Sequence, residues 1–141
     1  VTDTGTRLAL RASIEHVHHD FYKQLSESTD DPERCPFRTM KDIFMLAVCL
    51  GYRRGQRRPL SSGKKQIFHW TQFSEQVDEP ILKAIAIAET GDIQVLGNQE
   101  EILQIAEEYA NAGIQGLKAQ IQDEPGQPLW NLVELVRGLR S

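Results

Sequence analysis

Between Thr39 and Gly51 the chain carries its least ambiguous structural instruction. Thr39 and Asp42 stand three residues apart, the spacing of a capping box that satisfies the first free amides of a helix. Ile43, Phe44, Leu46, Ala47 and Leu50 follow as a wide apolar stripe. Gly51 stands where a left-handed residue would stop the helix. A helix so apolar is stable only with other elements wrapped around it, so the rest of the chain is read for partners.

Those partners are mostly helical. Ser13 stands at an N-cap position before Ile14, Val17, Phe21 and Leu25, which recur at helical spacing. Asp78 caps a further helix, with Pro80 in its first turn, Ile81, Leu82, Ala84, Ile85 and Ala88 facing inward, and Gly91 ending it. An apolar link over 93–96 leads to Asn98, which with Glu101 opens a helix with Ile102, Leu103, Ala106 and Tyr109 on its buried face. That helix stops near Gly113, and Ile114, Leu117 and Ile121 form a shorter one. Pro125, Gly126 and Pro128 break the chain before a last helix over 129–139, with Leu132, Val133 and Val136 as its apolar side. Only 7–11 differs. Its alternation of Arg7, Leu8, Ala9, Leu10 and Arg11 reads as a short strand, or as the first turn of the next helix. The expectation is an all-α fold, a compact bundle of five or six helices, with room for a short N-terminal strand.

A length of 141 residues suits a single domain over 1–141. Within it, a helical pair with a basic loop over 1–60 and a helical unit over 66–141 are the natural sub-units, with 52–65 as the hinge. The two cysteines form no CxxC pair. Cys49, inside the apolar helix, reads as core, and Cys35 as a free thiol in a loop. No apolar run approaches the roughly 20 residues of a membrane span, and no leader pattern opens the sequence. These features point to a soluble, cytoplasmic protein.

The charge distribution says more about partners. The net charge is −4, yet residues 34–65 hold nine Lys and Arg against one acid. Such asymmetry predicts a cationic face on an acidic body. Arg38, Lys41, Arg53, Arg54, Arg57, Arg58, Lys64 and Lys65 are therefore candidate phosphate contacts, because a guanidinium donates paired hydrogen bonds and stays charged. Glycines in this loop would let backbone amides approach an anion. The N-terminal strand, helix, loop and capped helix also resemble a ribbon-helix-helix unit, in which strands from two chains enter the major groove. That arrangement needs a homodimer, with Arg7 and Arg11 reading base edges.

Nothing in the sequence announces catalysis. His16, His18 and His19 cluster, but they supply too few ligands at the right spacing for a metal and read as an exposed face. The acidic pairs Asp78-Glu79, Glu100-Glu101 and Glu107-Glu108 fall at helix starts or outer faces, and none is marked as a raised-pKa acid. No nucleophile or phosphate-loop motif is present. The expectation is a protein without catalytic residues, metal or cofactor.

Several longer runs carry a resemblance. Phe37-Arg38-Thr39-Met40-Lys41-Asp42-Ile43-Phe44-Met45, Leu50-Gly51-Tyr52-Arg53 and Arg57-Arg58-Pro59-Leu60 are similar to the small proteins called DNA phosphorothioation-associated protein 4, of the Dnd system. So are the runs 84–92, 105–113 and 128–132. The resemblance implies a prokaryotic protein of a modification and restriction defence system that places sulfur in the DNA backbone. It implies no catalytic role and supplies no catalytic residue. The resulting expectation is a DNA-binding accessory or regulatory protein whose partners are double-stranded DNA and other proteins of that system. The alternative is a non-catalytic adaptor that docks an acidic partner through the basic loop.

Overall fold

The computed structural model describes residues 10–27, 30–61 and 63–139. Five α-helices and a two-stranded antiparallel sheet are present among them. In chain order they are β1 (Arg11–Glu15), α1 (His19–Ser26), α2 (Met40–Arg53), β2 (Lys64–His69), α3 (Asp78–Thr90), α4 (Gln99–Gln122) and α5 (Pro128–Gly138), with short 3-10 turns before α1, after β2 and before α4. The fold is thus predominantly helical with a small sheet, rather than all-α.

Helices α2 and α4 are the centre. Ile43, Phe44, Ala47, Val48 and Leu50 of α2 are buried, as are Ile102, Leu103, Ile105, Ala106, Ile114 and Leu117 of α4. The two helices touch backbone to backbone at glycines. A Cβ on Gly51 would collide with the Tyr109 carbonyl, and one on Gly113 with the Ala47 carbonyl. Neither glycine ends its helix, contrary to expectation. Each lies inside one because only a residue without a side chain permits that approach. The left-handed residue after α2 is Gly55, with φ +64, and α4 continues unbroken to Gln122, taking in Ile114, Leu117 and Ile121.

Both expected caps of α2 and α4 form: Thr39 Oγ1 accepts from the Asp42 amide and Asn98 Oδ1 from that of Glu101. At α3, Asp78 is the first helical residue and not the cap. The Ser74 hydroxyl accepts from the Val77 and Asp78 amides, while Asp78 accepts from Ser74 N–H and from Lys41. Gly91 does end α3, with φ +68, and Ala84 and Ala88 face outward. In α5 the buried residues are Asn131 and Leu135, whereas Val133 and Val136 are exposed. Asn131 Nδ2 donates to the carbonyls of Ile121 and Glu124, which satisfies the end of α4.

The N-terminal segment departs furthest from expectation. Residues Ser13 and Ile14 lie in β1, not at a helix start. The inward parity expected from Leu10 continues through Ala12 and Ile14, both buried. Arg7, Leu8 and Ala9 lie outside the described residues. Strand β1 pairs with β2 in the register Arg11↔His69, Ala12↔Phe68 and Glu15↔Lys64, with an irregularity between Ala12 and Ser13. Its other edge faces α4, where Glu107 Oε2 accepts the Ser13 amide at 2.7 Å. Over 11–15, β1 thus meets β2 on one side and the Glu107 carboxylate at Ser13 on the other. Most of the strand expected over 7–11, on which a ribbon shared between two chains would form, lies outside the described residues. An aromatic group of Phe44, Phe68, Trp70 and Phe73, in edge-on contacts of 5.1 to 5.5 Å, ties β2 to α2.

The cysteines exchange their expected places. Cys49 lies on the exposed side of α2, while Cys35 is buried and donates to the Gln24 carbonyl. Among the described residues no helix is long and apolar enough to cross a membrane.

Candidate nucleic-acid interface

The nine cations of 34–65 do not fold onto one surface. Arg38 and Lys41 stand at the start of α2 and Arg53 and Arg54 at its end, separated by most of a helix about 20 Å long. Lys41 pairs with Asp78 at 2.7 Å and Asp42 at 3.2 Å. Its pKa is raised by the Asp78 hydrogen bond, so its charge is committed within the fold. Arg57 reaches Glu89 of α3 at 2.6 Å and Glu108 of α4 at 2.7 Å. It is a structural clamp whose expected role as a phosphate contact the geometry does not support. Arg53 donates to the Leu139 carbonyl at 2.5 Å. Arg38 is exposed beside a recess bordered by Pro32, Pro36 and Phe37, and Arg11 is exposed on β1. Arg7 is outside the described residues.

The remaining cations lie elsewhere. Arg54, Arg58, Lys64 and Lys65 are exposed, and no acid pairs with their side chains among the described residues. The loop holding Arg58 is not an open glycine cradle for anions. The Gly55 amide donates to Tyr52, Gln56 to Gly51, Arg58 to Glu108 and Ser61 to Glu15. These four amides donate inside the protein and are not open to an anion. Asn111 of α4 fixes this loop from below, its Nδ2 donating to the carbonyls of Arg58 and Pro59 and to Glu15 Oε2.

Two histidines report which cations are neighbours. His18 is buried, unlike the exposed residue expected; His16 is exposed and His19 half-buried. Burial lowers the pKa of His18, and the charges of Lys118 and Arg58 lower it further against the opposing pull of Glu15. Burial also lowers His19, with Lys65, Lys23 and His16 adding to the effect over Asp20. Arg58 and Lys118 therefore lie within electrostatic reach of His18, and Lys65 and Lys23 within reach of His19. Arg54 leans over Gly116 of α4, and Lys118, two residues on, lies about 200° around that helix, so Arg54 stands apart from the cations near the histidines. Lys23 and Lys118 carried no signal in the sequence, being single cations in acidic stretches. Only the packing of α1 and α4 brings them to the loop.

An acid lies under this face. Burial pushes the Glu107 carboxyl up to about 7, while the Ser13 amide and Lys64 pull it down. It is the raised-pKa acid that the sequence did not reveal. Beside it, Glu15 is held low by the Ser61 amide and hydroxyl and by Asn111. Among the described residues no group of three or more metal-capable side chains comes together.

A family model described as DNA sulphur modification system-associated protein 4 matches residues 11–136. No curated protein and no solved structure matches the chain.

Proposed function

The chain belongs to the family of DNA sulphur modification system-associated protein 4, and from that premise we propose that it serves its system as a non-catalytic accessory protein that contacts duplex DNA. The observation that carries this reading is that four cations drawn from three parts of the chain come within electrostatic reach of the 16–19 turn, Arg58 and Lys118 at His18 and Lys65 and Lys23 at His19. Four such charges suit contact with phosphates, and the acidic remainder of the chain confines contact to that side. The contact is with the backbone, so it positions the protein without reading sequence. A cytoplasmic location goes with this reading.

Electrophoretic and fluorescence titrations against salt, on matched duplexes with and without backbone sulfur, test it. Loss of each phosphate contact should lower the log–log slope by about 0.9. Arg58→Ala and Lys118→Ala should each do so, whereas Lys41→Ala should leave the slope unchanged. A variant lacking Arg58, Lys118, Lys65 and Lys23 that binds DNA with the wild-type slope would sink the assignment of this face.

One observation favours an adaptor instead. Trp130 is 56% exposed, and Val133 and Val136 lie exposed on the same helix, α5. An exposed Trp among aliphatic residues is the usual anchor of a protein contact. Stoichiometric capture of another protein of the system, lost in Trp130→Ala, together with no DNA shift at low salt, would replace the DNA reading with this one.

A further inference from the structure

Behind the cationic face the fold buries polar atoms that it does not satisfy. Both ring nitrogens of His18, the Tyr22 hydroxyl and Oδ1 of Asn111 have no hydrogen-bonding partner among the described residues. All three side chains line one small space between β1, α1 and α4, with Glu107 at its wall. Idle buried polar atoms are costly, so several together in one place need an explanation. The carboxylate that faces the ring is Glu15, its Oε1 at 3.8 Å from His18 Nε2.

Resting on the DNA reading above, we propose that polyanion binding to this face is coupled to the uptake of one proton by His18, which makes the buried cluster the switch of the cationic surface. The groups that face His18 set the coupling. From the loop comes Arg58, from α4 come Lys118, Glu107 and Asn111, from α1 Tyr22, and from β1 Glu15. Without a ligand, burial, Lys118 and Arg58 keep the ring neutral. A phosphate seated on Arg58 and Lys118 cancels the two repulsive charges and leaves the attraction of Glu15 in place. The protonated ring then has two N–H donors. One closes on Glu15 and the other on an acceptor idle in the free protein, Asn111 Oδ1 or the Tyr22 oxygen. Glu15 also holds Ser61, and Asn111 holds the Arg58 and Pro59 carbonyls. A shift of either toward the ring therefore moves the segment that carries Arg58.

The sign follows from linkage. The free-state pKa of His18 lies below its usual 6.5, and the bound state raises it. Affinity therefore increases as pH falls through that interval, by at most about tenfold per pH unit for one proton, and is flat above it. Glu107 and His19 titrate nearby, so binding is measured between pH 5 and 8 in wild type, His18→Gln, His19→Gln and Glu107→Gln. His18→Gln should lose the rise below pH 7 while keeping the salt slope, and the other two should retain a His18-dependent rise. A second arm needs no DNA: the His18 ring resonance, titrated in the full chain, should move to higher pH in Arg58→Gln/Lys118→Gln. If DNA does not bind, the function reading falls, and the same pH series with inorganic polyphosphate decides the switch. An undiminished pH dependence in His18→Gln, or an unmoved His18 midpoint in the double variant, overturns the proposal.

Discussion

Glu107 shows how much one side chain can alter the behaviour of the protein with pH. In the unfolded chain its carboxyl releases a proton near 4.5, and in the fold burial holds it to about 7. Between those values the folded state binds more protons, so stability falls as pH rises through the window and levels off above it. The full effect is about 3–4 kcal/mol at most. Glu107→Gln keeps an oxygen for the Ser13 amide and removes the ionisation. It should match wild type near pH 4, be more stable than wild type at pH 8, and show a flatter profile by urea denaturation. Equal slopes in the two proteins would mean that the carboxyl is not desolvated. No residue near Glu107 in the sequence forecasts this. Its neighbour Glu108 has the same local setting, yet binds Arg57 at the surface, and only the approach of β1 distinguishes them.

Among the elements, the crossing of α2 and α4 depends on two glycines for which the sequence suggested a different use. Glycine inside an exposed helix costs about 1 kcal/mol relative to alanine, so alanine at 113 would stabilise a solvated helix. Here its Cβ meets the Ala47 carbonyl and the Gly51 amide, and overpacking against backbone costs about 1–3 kcal/mol or more. Gly113→Ala should therefore lower Tm by several degrees. Gly116→Ala is the contrast, because what a Cβ meets there is the flexible Arg54 guanidinium. It should be neutral or stabilising, and equal losses in both variants by calorimetry would contradict the crossing. Helix identity and capping at Thr39 and Asn98 were legible, because caps and apolar periodicity are local. Of the helix ends expected at glycines Gly91 held, whereas Gly51 and Gly113 did not, since a glycine serves a turn and a close contact equally well.

For the whole molecule, charge counts and charge positions part company. Arg57 belongs to the densest basic stretch of the sequence, yet it joins the loop to α3 and α4 through Glu89 and Glu108, with Tyr109 donating to Glu89. Arg57→Ala should cost about 1–2 kcal/mol of stability by leaving two partly buried carboxylates without their cation. It should leave the salt dependence of DNA binding unchanged. A reduced slope with unchanged stability would return Arg57 to the binding face. The candidate site was about half legible: Arg58, Lys64 and Lys65 stood out by density, whereas Lys23, Lys118 and the buried His18 did not.

The sequence by itself determined the helices, several of their caps and the family, because each depends on residues a few positions apart or on runs matched in order. The tertiary structure alone decided which cations remain available. Pairing over distances such as Lys41 to Asp78 or Arg57 to Glu89 removes charge from the surface, and packing of α1 and α4 against the loop adds charge from elsewhere. It also decided the fate of β1, because an edge is closed by whatever lies beside it in space.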